Sequence, residues 1–236
     1  MIKFFKILLV LLFFSIQSFG QSNTDFQTRS IFSVDYKLNK KWKLASEYRY
    51  SLENDLQKFR TSAVQLEAEY AFNKKLTLSG GYRFSTSYEE DNHRFFSALS
   101  YEYKINKIFT LSSVSKFQYS TNSFDPDFMN EFKEPVKMSR QKLGLDINFP
   151  KSKLSVSSGI EIFLKTDTQP YFKFNRMRYF LGSDYNLKKY GKIGLLVFYD
   201  DKYNPRKDDR IVLQTKYSIS VTDLIKNEKN EKSKSK

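Results

Sequence analysis

One nine-residue motif recurs along this chain and constrains its fold more than any other feature. It reads YKLNKKWKL at Tyr36–Leu44, YAFNKKLTL at Tyr70–Leu78 and YKINKIFTL at Tyr103–Leu111. In each copy an alternation of aromatic or apolar residues stops at Asn-Lys and then restarts toward a leucine. An alternation with a period of two, interrupted by a short polar turn, predicts a β-hairpin. Looser copies at Ile147–Val156 and Tyr185–Leu195 extend the pattern, so the sequence predicts a series of hairpins.

The spacing of the motif also raises the alternative of a helical repeat. The three copies lie 34 and 33 residues apart, which is close to the period of helical tetratricopeptide repeats. However, Leu66, Ala68 and Tyr70 alternate with polar residues in steps of two rather than three or four. Alanine, the best helix former, occurs only five times. Helical repeats are therefore excluded.

The first twenty residues have the pattern of an export signal. Lys3 and Lys6 give a positively charged start, Ile7–Phe14 is an unbroken apolar run, and Ser15–Gly20 leads to a cleavage site before Gln21. The apolar run is too short to span a bilayer as a helix. The chain contains no cysteine, so disulfides and lipid attachment through an N-terminal cysteine are excluded. We expect residues 1–20 to be a cleaved signal peptide.

The rest of the chain divides into a folded part and a tail. Residues 21–221 carry the alternating pattern and are expected to form the barrel. Residues 222–236 are mostly Lys, Glu, Asn and Ser, a composition with too little apolar surface to fold alone. We predict a disordered Lys-rich tail over this segment.

Composition favours a membrane barrel over a nucleic-acid-binding protein. Aromatic residues make up 17% of the chain, yet the mean hydropathy is −0.57, as expected when apolar and polar side chains alternate along strands. The net charge of +14 is spread through turns, loops and tail, without a recognition helix or ribonucleoprotein motif, so no nucleic-acid partner is expected. The expected partners are membrane lipids, lipopolysaccharide and the outer-membrane assembly machinery, and the sequence identifies no other protein partner.

The repeated turns place the strands of an all-β protein. The expected fold is a transmembrane antiparallel up-and-down β-barrel of ten to twelve strands, with short turns at one rim and longer loops at the other. Bacterial single-chain barrels normally have an even number of strands, whereas the pattern gives eleven. A further strand within 121–136 or an irregular first or last strand would explain the difference. The predicted strands are 26–38, 42–52, 60–72, 76–87, 94–104, 108–120, 137–149, 154–165, 174–187, 192–201 and 209–221.

Alternation along these strands separates a membrane face from a lumen face. The membrane face collects aliphatic residues in its middle and aromatic residues at its ends, as in an interfacial girdle. Six basic and seven acidic residues fall on the other face, so the sequence predicts a nearly balanced interior. In a narrow barrel, such charges favour a filled, paired polar lumen over an open channel. The candidate lumen-lining residues are Glu47, Arg49, Glu67, Glu69, Arg83, Glu102, Lys116, Lys142, Asp146, Glu161, Arg176, Arg178 and Asp184.

The Asn-Lys turns, the export signal and the chain length together resemble one known family. It is an uncharacterised outer-membrane β-barrel family of Gram-negative bacteria, described as a domain of unknown function. The resemblance covers about residues 24–221 and implies a barrel fold and an outer-membrane location. It implies no activity, cofactor or catalytic residue.

The residues around His93 are a weak candidate for a catalytic site. His93, the only histidine, lies beside Glu89, Glu90 and Asp91, and Ser85 and Ser87 precede it. A base, a carboxylate and a hydroxyl are the groups that a lipid hydrolase uses. An ordinary solvated hairpin loop explains the same residues, so we assign no catalytic residue.

Metal and cofactor patterns are weaker still. The chain lacks a His/Cys cluster, a calcium loop, a Gly-rich phosphate loop and a dinucleotide fingerprint, so we expect neither metal nor cofactor. The charged segment 200–209 could hold a cation or a lipopolysaccharide phosphate, but a solvated loop is the simpler interpretation.

Three functions remain open at this point. The sequence favours a non-enzymatic structural or interaction component of the outer membrane. The first alternative is a small passive pore for small solutes or anions, biased toward anions by Arg49, Arg83, Lys116, Arg176 and Arg178. The second alternative is a lipid hydrolase of the outer leaflet that uses His93.

Overall fold

A computed structural model describes the barrel of this chain. The described residues are 24–88, 90–124, 135–150, 152–166, 172–202, 209–222 and 224–225. The predicted signal peptide, most of the 121–136 connection and most of the predicted tail lie outside the described residues. Their predicted properties therefore stay predictions.

Eleven β-strands account for nearly all of the described structure. Most strand ends lie within two residues of the predicted ones, because the polar turns that interrupt the alternation are real hairpin turns. A short 3₁₀ helix at Lys188–Tyr190 lies in one of these turns. The strands are β1 (Thr24–Lys37), β2 (Trp42–Glu53), β3 (Lys58–Ala71), β4 (Leu76–Thr86), β5 (Asp91–Lys104), β6 (Phe109–Phe124), β7 (Val136–Asn148), β8 (Leu154–Lys165), β9 (Lys173–Asn186), β10 (Lys192–Lys202) and β11 (Asp209–Ser220).

The strands close into a single barrel, which confirms the predicted fold class. Each strand pairs antiparallel with its neighbours in sequence, and β1 pairs with β11 to close the sheet. The closing pair is parallel, with Thr24 beside Asp209 and Asp35 beside Ser220. The prediction of a purely antiparallel barrel is wrong at this one seam. Eleven strands are joined by ten antiparallel steps, and an even number of reversals leaves the first and last strands running in the same direction.

The three repeated turns share one hydrogen-bond pattern, which explains why Asn recurs in the motif. In the first turn the Asn39 side-chain oxygen accepts hydrogen bonds from the backbone N–H groups of Lys41 at 2.8 Å and Trp42 at 2.9 Å. Asn73 and Asn106 make the same pair of bonds in their turns at 2.8–2.9 Å. An asparagine side chain that satisfies backbone donors in this way stabilises a tight turn. We call the rim that carries these turns the Asn-Lys rim and the opposite one the loop rim.

Two connections at the loop rim are shorter than the sequence predicts. β2 and β3 are joined through residues 54–57, and β4 and β5 through residues 87–90. Both strand pairs therefore extend further than their alternation indicates, and the contrast between short turns and long loops is weaker than predicted. Because β1 and β11 both start at this rim, the two ends of the barrel chain leave from opposite rims.

The outer face of the barrel is apolar. Leu66 and Leu143 each leave 57% of their surface exposed and Leu181 leaves 60%, an exposure that suits a hydrocarbon environment rather than water. Aromatic side chains contact one another near the rims, as in the pair Trp42 and Tyr70 with ring centroids 4.9 Å apart. Within the described part of the chain, no helix has the length and apolar content needed to cross a bilayer.

Candidate functional site

The lumen of the barrel contains one polar chamber of about 460 Å³. Side chains from all eleven strands reach it, because every second residue of each strand points inward. Its lining residues are Arg29, Glu47, Arg49, Ser51, Arg60, Thr61, Ala63, Gln65, Arg83, Ser85, Arg94, Lys116, Arg140, Lys142, Glu161, Arg176, Arg178, Phe180, Leu196, Arg210 and Gln214.

The chamber is strongly basic. Nine arginines and two lysines line it, against two glutamates. The expectation of a nearly balanced interior is therefore wrong for this part of the lumen. Positive charges enclosed by a protein wall of low dielectric create a field that attracts anions.

The thirteen residues predicted to line the lumen fall into two groups. Eight of them line the chamber, and the other five lie nearer the Asn-Lys rim on inward-pointing positions. In this second group Glu69 pairs with Lys43 at 2.7 Å and Asp184 with Lys192 at 3.9 Å. The eight are Glu47, Arg49, Arg83, Lys116, Lys142, Glu161, Arg176 and Arg178. The five are Glu67, Glu69, Glu102, Asp146 and Asp184.

Five arginines that line the chamber are not among the predicted lumen-lining residues. They are Arg29, Arg60, Arg94, Arg140 and Arg210. Four of them keep the parity of inward residues on their strands, so a consistent count of alternation would have found them. Arg60 lies beside an irregularity in the β2–β3 register between Ser51 and Leu52. Such an irregularity disrupts the alternation, so no parity count would have placed Arg60.

Asp200 organises one side of the chamber. Its carboxylate accepts hydrogen bonds from Nε of Arg178 at 2.5 Å and from Nε of Arg210 at 2.7 Å, and Arg176 lies 3.8 Å away. Asp200 is 0% exposed, so its prediction as part of a solvated loop is wrong. Strand β10 continues through Lys202 and carries this residue into the barrel wall. We call Asp200 and its three arginines the Asp200 cluster.

A second carboxylate extends the same network. Glu161 on β8 accepts hydrogen bonds from Nε and Nη2 of Arg140 at 2.9 Å and 2.6 Å, and Arg178 lies 3.5 Å from its other oxygen. Arg178 therefore links Glu161 to Asp200. Ion pairs this close and this buried fix their side chains in one arrangement.

Phenylalanine rings lie beneath these arginines. Phe163 and Phe198 are inward-pointing and each only 1% exposed. The guanidinium of Arg176 lies 3.9 Å from the Phe163 ring centroid, and that of Arg178 lies 3.9 Å from the Phe198 centroid. A cation over an aromatic face is attracted by the ring quadrupole, so the rings hold the guanidinium groups against the wall. The parity of their strands puts both phenylalanines inward, although an apolar side chain by itself indicates the membrane face.

On the opposite side of the lumen, strands β4, β5 and β6 carry basic side chains that have no carboxylate partner among the described residues. Arg83 on β4 donates from Nε to the side-chain oxygen of Gln65 at 2.9 Å, and Arg94 on β5 donates from Nε to Ser120 Oγ at 3.0 Å. Lys116 lies over the Phe96 ring at 3.6 Å. Among the described residues, no carboxylate lies within ion-pair distance of these three basic side chains.

Between these two sides, Arg49 and Glu47 form a pair on β2. Arg49 Nη2 lies 2.5 Å from Glu47 Oε1, and Lys216 approaches the other oxygen at 3.4 Å. Glu47 is thus shared between two cations. The local charge stays positive.

The candidate catalytic residues are not brought together. His93 points to the outer face, where its Nδ1 lies 2.6 Å from the hydroxyl of Tyr82. Ser85 lines the chamber on the other side of the barrel wall. Ser87 bonds the backbone of Glu90, and Glu89 lies outside the described residues. Ser85 and His93 therefore do not form a nucleophile–base pair in this arrangement.

No metal centre is formed by the residues that the structure describes. They contain no group of three or more His, Asp or Glu side chains close enough to share an ion. The guanidinium and ammonium groups that line the chamber can bind and attract anions.

Two of the solved structures similar to this barrel are porins. The NanC porin matches with a TM-score of 0.50 and 11% identity, over 79% of this chain and 93% of that porin. The KdgM porin matches with a TM-score of 0.44 and 13% identity, over 75% of this chain and 91% of that porin. At such identities the likeness to the NanC porin concerns the fold alone.

The comparison by sequence gives a family rather than an individual relative. A comparison with curated proteins gave no match. The model of one protein family, described as "Protein of unknown function (DUF2490)", matches residues 13–211. This match covers most of the chain and agrees with the resemblance drawn from the repeated turns. The chain belongs to the DUF2490 family, whose members are described as proteins of unknown function.

Proposed function

We propose that this protein is a passive pore of the outer membrane that favours anions. The observation that carries the proposal is the charge of the chamber, where nine arginines and two lysines face two glutamates. A polar lumen with fully paired charges would serve a purely structural barrel. Even when Asp200 and Glu53, which pair with chamber arginines, are counted, the basic groups outnumber the carboxylates, and such an excess costs free energy. An anion passing through the lumen offsets that cost.

The shape of the site supports passage of small solutes only. A chamber of about 460 Å³ in an eleven-stranded barrel has room for roughly fifteen water molecules at about 30 Å³ each, or for a small organic ion. Fixed positive charges around it replace part of the hydration shell of an anion and repel cations. Bulky solutes would be excluded by the side chains that line the lumen.

Two features support a location in the outer membrane. The barrel exposes aliphatic side chains such as Leu66 and Leu181 around its outer face, and residues 1–20 have the pattern of a signal peptide. A closed barrel leaves no unpaired strand edge in the hydrocarbon region. The chain is therefore suited to cross a bilayer as a barrel after export.

Electrical recording from planar bilayers tests the pore. The refolded mature protein is expected to open ion-conducting pathways in the bilayer. As a matched pair of variants, Arg49→Gln should change the unitary conductance because Arg49 lines the chamber. Lys74→Gln should not, because Lys74 is exposed in the turn between β3 and β4. The absence of openings at any voltage would remove the pore and leave the structural role.

A further inference from the structure

Two groups of arginines in the chamber have different surroundings. The arginines of the Asp200 cluster have a carboxylate partner within 4 Å, and Arg176 and Arg178 also lie over phenylalanine rings. Arg83 and Arg94 bond only neutral oxygen atoms, those of Gln65 and Ser120. The charge of the first group is partly compensated by carboxylates, whereas the second group is anchored by neutral groups and its charge is not compensated.

Arg83 and Arg94 also occupy an unfavourable position with respect to each other. They are direct partners in the β4–β5 register, so their backbones lie side by side with both side chains pointing inward. Like charges at directly opposed positions of neighbouring strands repel and destabilise the pair. Placing two guanidinium groups there is costly unless an anion joins them.

The hydrogen bonds of the two arginines leave most of their donors free. Arg83 uses Nε and Nη2 on the same oxygen of Gln65, and Arg94 uses Nε on Ser120 Oγ. The two anchors lie on the outer sides of the pair, on β3 and β6. Since a guanidinium carries five N–H donors, the Nη1 group of Arg83 and both terminal nitrogens of Arg94 have no protein acceptor among the described residues.

The pair faces the Asp200 cluster across the lumen. Strand β10, which carries Asp200, is five strands from β4 in one direction around the barrel and five strands from β5 in the other. A solute in the chamber therefore meets arginines paired with a carboxylate on the β10 side and arginines without a carboxylate partner on the β4–β5 side. Lys116, on the strand next to β5, adds a third unneutralised charge.

We propose that Arg83 and Arg94 form the selective binding site of the chamber, and that their ligands are oxyanions with two negative charges, carboxylates or phosphates. This proposal rests on the proposed pore and names its substrate class. Two planar N–H forks match the paired oxygens of a carboxylate or phosphate, whereas a halide offers a single point of contact. The arginines of the Asp200 cluster shape the wall and do not select the solute.

The permeability ratio of an oxyanion to chloride tests the selective role. Reversal potentials would be measured with succinate, inorganic phosphate and chloride for the unmodified protein, for R83Q/R94Q and for R83K/R94K. We expect the ratio of succinate or phosphate to chloride to fall about tenfold in R83Q/R94Q, the order expected when a charge-assisted hydrogen bond is lost. R83K/R94K should keep the preference for anions over cations but lose the preference for oxyanions over chloride.

The control variant is Lys74→Gln, because Lys74 is exposed in the turn between β3 and β4 and does not line the chamber. It should leave the ratio unchanged. A ratio that is unchanged in both arginine variants would overturn the proposal while leaving the pore intact. If R83Q/R94Q does not fold, the lysine variant alone decides, since it preserves the charge.

Binding to the folded protein in detergent separates this proposal from the pore itself. Titration calorimetry with succinate and with inorganic phosphate should give heat in the unmodified protein and at least a tenfold weaker affinity in R83K/R94K. Binding without any conductance would contradict the pore and support the site. Conductance without a difference in binding between the two proteins would contradict the site. A response to phosphate but not to succinate, or the reverse, identifies which oxyanion the site takes.

Discussion

Asp200 is the residue on which the structure of the chamber depends most. It is fully enclosed and bonds Arg178 and Arg210 at 2.5–2.7 Å. Removing one member of a buried network of charges leaves the remaining charges unpaired. The free-energy cost of those unpaired charges is larger than the net stabilisation that the intact network provides. The three arginines of the cluster would then repel one another in a confined space.

We therefore expect Asp200→Asn to destabilise the barrel by about 3–5 kcal/mol. Unfolding in denaturant, followed in detergent micelles by the fluorescence of Trp42, measures the change. Asp184→Asn is the matched control, because Asp184 lies in a long 3.9 Å pair with half-exposed Lys192, and exposed pairs contribute about 0–1 kcal/mol. An effect of the two substitutions that is equal in size would show that the cluster does not stabilise the barrel.

At the level of single residues, the sequence predicted part of the site. Parity from the turns placed Arg83, Arg176 and Arg178 on the lumen side, where the chamber contains them. It could not show that Asp200 is buried, because the residue lies in a charged stretch near a strand end. The same parity puts Phe163 and Phe198 inward, but only the arginines stacked on their rings explain why apolar side chains lie inside the lumen.

The hairpin turns are the elements that the sequence encodes most directly. Each Asn of the repeated motif has the same two backbone bonds, so one side chain fixes the turn and with it the register of two strands. This physical role explains why the strand positions could be predicted. The connections at the loop rim lack such a motif, and there the prediction of strand ends was less accurate.

Asn73→Ala tests the role of the turn residue. It removes the acceptor of two backbone N–H groups, those of Lys75 and Leu76, and we expect a loss of about 1 kcal/mol in the free energy of unfolding. Lys74→Ala in the same turn is the control, because its exposed side chain forms no hydrogen bond within the described structure. A loss that is no larger for Asn73→Ala than for Lys74→Ala would contradict this explanation of the motif.

The parallel seam between β1 and β11 is the least expected element. Ser33 and Ser218 face each other across it, with their Oγ atoms 2.9 Å apart. The protein has no cysteine, so any disulfide introduced is unique. Directly paired strand residues lie within the Cα separation of about 4.4–6.8 Å that a disulfide spans.

Oxidation of S33C/S218C should therefore give an internal disulfide, seen as a change in gel mobility that a reductant reverses. The control is S112C/S218C, since β6 lies five strands from β11. A barrel of even strand number would place different residues beside Ser33. If S33C/S218C does not oxidise and S112C/S218C is equally unreactive, the result contradicts the eleven-stranded closure.

In the molecule as a whole, the barrel wall has two surfaces that suit opposite environments. The outer face is apolar, and the inner face concentrates nine arginines in one chamber. Net charge alone did not reveal this, because the excess of +14 is also distributed over turns and tail. Only the closure of the barrel brings arginines from strands as distant in sequence as β1 and β11 around one space.

The central claim is that this enclosed charge selects the sign of the ions that pass. The most direct test is the reversal potential of the refolded protein in a planar bilayer that separates two KCl concentrations. The excess of arginine and lysine in the chamber predicts a reversal potential displaced toward the equilibrium potential of chloride. Displacement toward the equilibrium potential of potassium, or a bilayer that stays silent, would contradict the claim.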